Sequence, residues 1–260
     1  MVSISRQKLI RSLQQKKQRD KHGMFIIEGD KIITDLLNSG ELNENNMVYL
    51  CATGEWFRSR KGITNSVLSN ATEAETRELK KLSSMVTPPD VLAVVKFQEA
   101  VYSTDIIRNG ISLVFDTIRD PGNMGTIIRT ADWFGYKNLF CSPDSVDRYN
   151  SKVVQSSMGG IMRVQTHYTD LEKLFMQAER MKIPVYGTTM DGKDFFETPV
   201  KQKGMIVFGN ESTGISKQFE PYFTRKISIP DFPAGKSATE SLNVASSVAI
   251  ICAELRRRKM

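Results

Sequence analysis

Histidine and cysteine are scarce in this chain, with two and three residues among 260. His22 and His167 are too few and too far apart for a histidine-rich metal centre, and poor material for a Ser-His-Asp arrangement. Cys51, Cys141 and Cys252 form no CxxC pair, which argues against zinc or disulfides and fits a reducing, cytoplasmic setting. No metal site is expected. No apolar run approaches the roughly 18–20 residues that a bilayer span requires, so no membrane segment is expected either. The first twenty residues are basic and polar without an apolar core, unlike a secretory signal. Internal repeats and low-complexity tracts do not stand out.

Two nucleotide-binding patterns also fail. Ala234-Gly235-Lys236-Ser237 ends like a phosphate-binding loop, but Pro230 stands where that loop needs its first glycine. Ser237 and Glu240 read better as a capping box opening the last helix. Gly122-Asn123-Met124-Gly125 is not the GxGxxG of a dinucleotide fingerprint.

What remains is a globular composition, 40% hydrophobic and 25% charged, with 36 Lys and Arg against 29 Asp and Glu. The net charge of +7 favours polyanionic partners, nucleic acid first and acidic lipid second, although a merely soluble basic protein shares the count. Residues 3–20 read as a helix, where Arg6, Lys8, Arg11, Lys16, Lys17 and Arg19, with Lys21 just beyond, face a single acid, Asp20. The chain closes on Arg256-Arg257-Arg258-Lys259, which a helix dipole alone would accommodate.

The hydrophobic pattern predicts an α/β fold in two parts. Residues 1–105 form a small α/β unit with strands Phe25–Glu28, Met47–Cys51 and Val91–Val95 and helices Gly29–Leu37 and Ala71–Leu82. Residues 106–260 begin with strand Ile111–Phe115 and helix Met124–Phe134. Strands at Asn138–Cys141, Ile183–Gly187, Met205–Phe208 and Lys226–Ile229 follow, with helices around Asn150–Met158, at Asp170–Met181 and at Glu240–Arg256. Alternating strands and helices imply a parallel sheet covered on both faces, with ligands beyond the carboxyl ends of its strands. The loops after Phe115, Gly187, Phe208 and Ile229 are therefore the informative ones.

In the first of these loops Pro121-Gly122-Asn123 makes a tight turn, with Asn123 a good N-cap. Arg129 lies nearly opposite the apolar stripe Met124, Ile127, Ile128, Ala131 and Phe134, between Gly125 and Trp133. Phe208-Gly209-Asn210-Glu211 ends an apolar strand, with Gly209 permitting close backbone approach and Glu211 an acid at the turn. Ser241 and Asn243 stand beside the stripe Leu242, Ala245, Val248, Ala249, Cys252 and Leu255. Each pattern alone is equally an ordinary turn or cap.

In this order they resemble the SpoU (TrmH-like) RNA ribose 2′-O-methyltransferases of the SPOUT superfamily. Asn123, Gly125 and Arg129 match N-x-G-x-x-x-R, and Gly209, Glu211 and Gly214 match G-x-E-x-x-G. Ile229-Pro230 and Ser241-Leu242-Asn243-Val244 match the third motif, I-P followed by S-L-N-V. Gln155 to Gly160 resembles the family's small-residue stretch. Phe25 to Gly29 and Thr87 to Val95 resemble a substrate-binding domain found in many members. The segment Asp231 to Glu240 is longer than the family usually has, which bears on the rim of the cofactor site.

The resemblance implies a C-terminal trefoil-knotted methyltransferase domain, where periodicity alone implies an unknotted sheet. It implies a homodimer and S-adenosylmethionine held against main-chain groups of Gly209, Ile229 and Leu242, with Thr188 at the edge. It implies a polar catalytic set of Asn123, Arg129, Glu211, Ser241 and Asn243. A guanidinium is very hard to deprotonate, so Arg129 suits a phosphate clamp and alkoxide stabiliser better than a general base. A separate N-terminal domain points to rRNA of the 23S type. The alternatives are a tRNA methylase and a catalytically silent RNA-binding or ribosome-assembly protein.

Overall fold

A computed structural model of the chain describes residues 1–60, 65–100, 102–232 and 241–258. Packing divides it into two compact units, Met1–Glu99 with Asp147–Arg163, and Ala100–Val146 with Val164–Met260. The expected division at 105/106 follows chain order; by packing, Asp147–Arg163 goes with the first unit. The reason is aromatic: Tyr149 stacks on Phe97 with ring centroids 4.1 Å apart and lies 4.5 Å from Phe25. Its hydroxyl accepts the Gln98 N–H at 3.0 Å.

The first unit holds a four-stranded mixed sheet in the order β1 (Met24–Glu28), β4 (Val91–Lys96), β2 (Met47–Ala52) and β3 (Ala71–Glu73). β4 runs antiparallel to β1 and β2, and β3 runs parallel to β2. β3 lies where a helix from Ala71 was expected; the helix begins only at Thr76, after a capping box of Glu75 and Glu78. Its three residues extend the sheet by pairing Ala71–Glu73 with Leu50–Ala52.

The basic N-terminal helix is two helices, Ile4–Ser12 and Lys16–His22. Arg19, expected among the phosphate-facing cations, is buried instead. Its guanidinium donates to the carbonyls of Leu13 at 3.1 Å and Gln14 at 2.9 Å, and pairs with Asp147 at 2.7 Å. Burying a guanidinium is tolerable only with such partners. Arg6 is also engaged, bonding Thr72 Oγ1 at 2.8 Å and covering the Tyr49 ring. Lys8, Arg11, Lys16, Lys17 and Lys21 remain exposed.

The second unit is an all-parallel six-stranded sheet. Its order is β10 (Arg225–Ser228), β8 (Val185–Asp194), β9 (Gly204–Phe208), β5 (Ile111–Phe115), β6 (Asn138–Cys141) and β7 (Gln165–Tyr168). All five residues of β9 are buried, as expected for a strand covered on both faces. From central β5 the chain moves outward to β6 and β7, then crosses to lay β8 and β9 on the other side. β5 and β9 are thus neighbours from which the chain leaves in opposite directions, and such a switch point opens a crevice at the carboxyl ends.

All three cysteines are buried, and none is in a disulfide. Desolvation pushes the Cys51 thiol up to about 11 and Cys252 to about 12, so both stay protonated as small core hydrophobes.

Candidate active site at the carboxyl ends of β5 and β9

The loop after β5 leads into helix Pro121–Trp133. The N-cap is Asp120, not Asn123: its side chain accepts the Asn123 N–H at 2.8 Å, and Pro121 occupies the first helical position. Proline suits that position because its missing N–H would have no helical partner there. The change of cap releases the Asn123 side chain for other work. The inner face Met124, Ile127, Ile128 and Ala131 is fully buried, as the stripe predicted, whereas Phe134, its expected last member, is the C-cap and only half-buried.

The final helix runs Val244–Arg257, and Asn243 caps it by accepting the N–H groups of Ala245 at 3.0 Å and Ser246 at 3.3 Å. The helix therefore starts four residues later than the expected Glu240, because Ser241–Asn243 are not helical and Asn243 supplies the cap. A Ser237–Glu240 capping box lies outside the described residues, as does most of the long segment before the helix. Leu242, expected in the core stripe, precedes the helix and is 49% exposed. The two helices pack side by side in the same direction, because Arg256 Nε donates to the Phe134 carbonyl at 2.6 Å at their far ends.

At their near ends three motifs meet. Asn243 Nδ2 donates to Asn123 Oδ1 at 2.9 Å, and Asn123 Nδ2 donates to Glu211 Oε1. Glu211 sits in the loop after β9, and β9 pairs with β5 through Phe208 and Phe115. Sheet order thus explains why residues far apart in the chain share one hydrogen-bonded relay.

Gly209 has a more local reason than close approach to a ligand. A Cβ there would lie 2.2 Å from the Gly214 carbonyl carbon and 2.3 Å from the Ile215 nitrogen. The loop folds back on itself, with Asn210 and Gly214 exchanging backbone hydrogen bonds at 3.1 and 2.9 Å. Glu211 rides on this closed turn.

Arg129 is exposed, about 9 Å along the helix axis from Asn123. It forms no hydrogen bond or ion pair among the described residues, so its guanidinium is available to a ligand. Ser241 is exposed, two residues before Asn243. Thr188, Gly209 and Ile229 lie on or just beyond adjacent strands β8, β9 and β10. Thr188 Oγ1 donates to the Val207 carbonyl at 2.8 Å. Its proton committed, that oxygen offers only lone pairs to a ligand. Among the described residues no three His, Cys, Asp or Glu side chains group as a metal site requires.

Sequence reasoning overlooked Asp120 and Asn210. The Asp-Pro pair before a helix was a readable signal for the first; nothing local marks Asn210, whose role is to bond another loop.

Relatives place this geometry. The chain is 27% identical over 247 residues to RlmP of Bacillus subtilis, a 23S rRNA guanosine 2′-O-methyltransferase, covering 95% of this chain and 94% of that protein. A putative RNA methyltransferase of the TrmH family from Porphyromonas gingivalis superposes with a TM-score of 0.83 at 33% identity, covering 99% of both chains. The AviRb methyltransferase of Streptomyces viridochromogenes, solved with AdoMet, shares the fold at 23% identity and a TM-score of 0.80 over 99% of this chain and 98% of that one. Residues 5–93 match the MRM3-like substrate binding domain. Residues 110–253, which contain the whole relay, match the SpoU rRNA Methylase family, and the chain belongs to that family.

Proposed function

We propose that this protein transfers a methyl group from S-adenosylmethionine to a ribose 2′-hydroxyl of structured RNA, ribosomal RNA of the 23S type. The Asn243–Asn123–Glu211 relay carries the reading, because it joins all three family motifs into one polar group at the switch point of the sheet. Relatives that methylate 23S rRNA support the substrate class, and the AdoMet-bound relative supports the cofactor.

The donor set fits that cofactor. Thr188 offers an acceptor suited to an amino group, Leu242 a half-exposed apolar side chain suited to a heterocycle, and Glu211 a carboxylate suited to a cation. Gly209, Ile229 and Leu242 would hold it through main-chain groups. When bound, it supplies an electrophilic methyl on a sulfonium leaving group. Asn123, Asn243 and Ser241 orient the ribose, and Arg129 grips the adjacent phosphate and stabilises charge developing on the 2′-oxygen. Within the relay only Glu211 can take up the hydroxyl proton.

The reading extends to the whole chain. Residues 1–105 recognise RNA and residues 106–260 perform the chemistry, supported by the match of residues 5–93 to a substrate-binding domain. The C-terminal part carries the trefoil knot of its family and forms a homodimer. The 84% exposure of Trp133, one turn from Arg129, favours a covered surface there. Buried cysteines outside any disulfide suit the cytoplasm.

Ribosomal RNA from cells lacking the gene, incubated with the protein and S-adenosylmethionine, should gain a 2′-O-methyl nucleotide by mass spectrometry. Arg129→Ala should abolish the gain. RNA binding without methylation would instead establish a silent RNA-binding protein, and methylation of tRNA alone would reassign the substrate. A monomer of full activity in sedimentation would reject the dimer.

A further inference from the structure

The three residues after β5 are bonded to two neighbouring loops at once. Thr117 takes φ +59, a left-handed conformation that a β-branched residue rarely adopts. Its N–H donates to Ser142 Oγ at 2.8 Å, and its carbonyl accepts from Asn210 Nδ2 at 2.9 Å. Its Oγ1 lies 2.9 Å from both Asp116 Oδ1 and Asp144 Oδ2, so two carboxylates share one hydroxyl proton. Hydrogen bonds from Ser142 and Thr117 hold the Asp144 carboxyl below its ordinary value. Asp116 is 3% exposed, and its Oδ2 accepts the Ser216 N–H at 2.7 Å. A strained residue persists where its surroundings over-determine it, and here four side chains do so.

Two of these ties bracket Glu211. Asn210 precedes it in the chain and Ser216 follows. Asn210 Oδ1 accepts the Ser212 N–H at 2.9 Å, closing the turn, while its Nδ2 anchors that turn to Thr117. The amide cannot be reversed: the Ser212 N–H requires the oxygen, and the Thr117 carbonyl requires the nitrogen. The relay needs Glu211 within hydrogen-bond reach of Asn123, yet Glu211 rides on a turn outside any strand, past the end of β9. Side chains from the neighbouring loop must set its position.

We propose that Asn210 and Asp116, both acting around Thr117, are positioning residues that lock the loop after β9 onto the loop after β5 and hold Glu211 in register with Asn123. The proposal rests on reading the relay as the methyl-transfer site. Neither residue touches substrate.

The test uses full-length protein labelled with ¹⁵N-asparagine, with the Asn123 side-chain amide as probe, since a proton donated to a carboxylate resonates downfield. Asn210→Asp keeps the acceptor for Ser212 but sets a carboxylate against the Thr117 carbonyl. The Asn123 amide should move toward the position of a solvent-exposed asparagine, and kcat should fall about tenfold or more with the RNA KM nearly unchanged. Asp116→Asn should retain both the signal and turnover. Its oxygen takes the Ser216 N–H and its NH2 donates to Thr117 Oγ1, whose proton then goes wholly to Asp144. Asp116→Ala should lose both. A merely structural role would lower the thermal midpoint and leave the amide of the folded protein in place. The lock is overturned by an unchanged Asn123 amide in folded Asn210→Asp, or by Asp116→Asn proving as damaging as Asp116→Ala. Should Asn210→Asp fail to fold, the Asp116 pair decides alone. A wild-type protein that methylates no RNA would refute the reading of the site, while the amide shifts still judge the lock.

Discussion

Asn243 donates from Nδ2 to Asn123 Oδ1 across 2.9 Å, so the residue that caps the final helix also orients a side chain in the first turn of its neighbour. The Asn243 oxygen is already taken by the N–H groups of Ala245 and Ser246. Only its NH2 remains, so Asn123 must present its oxygen. The Asn123 NH2 then faces Glu211, which as a carboxylate can only accept. Chemistry at both ends fixes the direction of the whole relay.

Asn243→Asp separates the two duties of that residue. Aspartate caps a helix about as well as asparagine, so stability should hold within about 1 kcal/mol. It has no N–H to give, and methylation should fall on the order of 10²-fold, as when a preorganised donor is removed. Thermal unfolding and a methylation assay on the same sample read the two effects. Wild-type turnover in this variant would remove the relay from the mechanism.

Gly209 and Gly214 belong to the same motif but should respond differently to alanine. At Gly209 the new Cβ meets backbone atoms at 2.2–2.4 Å that cannot yield without opening the turn, so loss of cofactor binding and about 1–3 kcal/mol of stability is expected. Gly214 takes φ +68 with nothing within 4 Å of an added methyl, so the cost is conformational only, roughly 1 kcal/mol. Calorimetry with S-adenosylmethionine and thermal melts compare them. Equal losses would show that glycine serves one purpose at both positions.

The parts of this fold that were legible in the sequence are those where local pattern and tertiary packing agree. Ile111–Phe115 and Met205–Phe208 are apolar runs bounded by turns, and both became central strands. The stripe of helix Pro121–Trp133 faces the core as its spacing requires. β7 was not legible because Gln-Thr-His-Tyr is short and polar, with no apolar run to mark it; it forms by pairing with β6. Asn123 was misread as a cap because Asn and Asp are both good caps, and only the three-dimensional site shows that its side chain is needed elsewhere. The grouping of Asp147–Arg163 with the first unit depends on Tyr149 reaching Phe25 and Phe97, contacts that no local spacing encodes.

The same contacts change how RNA recognition is best tested. Deleting residues 1–105 would strip Tyr149, and the helix Ser151–Ser156 that follows it, of their packing, so the deletion would damage more than binding. Reversing Lys16, Lys17 and Lys21 to Glu on the intact chain leaves the buried Arg19 in place. RNA affinity should drop, and its salt dependence should flatten by about one counterion for each phosphate no longer neutralised, while cofactor affinity stays. An unchanged salt slope would place the RNA surface elsewhere.

Glu254 predicts a pH dependence. Hydrogen bonds from Arg257 and Arg258 lower its carboxyl to about 2. Arg258 in turn donates to the carbonyls of Thr198, Phe195 and Phe196, pinning the end of the final helix. A carboxyl whose folded value is depressed stabilises above its unfolded value near 4.5 and loses that contribution as pH falls toward 2. Glu254→Gln should therefore be less stable than wild type at neutral pH, with the gap closing between about 4.5 and 2. Denaturant melts across that range test this; a constant gap would deny the carboxylate its role.

Arg129 offers the sharpest test of the chemistry. Because it is exposed and unengaged among the described residues, replacing it should leave the relay and the fold intact. Arg129→Ala should spare most RNA affinity but remove turnover, since the proposed contact matters chiefly in the transition state. Lysine keeps the charge and can lose a proton, yet lacks the planar fork that grips a phosphate. If Arg129 acts as a base, Arg129→Lys should keep substantial activity that rises with pH. If it is a fixed cation, the lysine variant should be badly impaired with no new alkaline limb in kcat. Near-normal turnover with lysine would reject the clamp, and normal turnover with alanine would reject any part for this residue in the reaction.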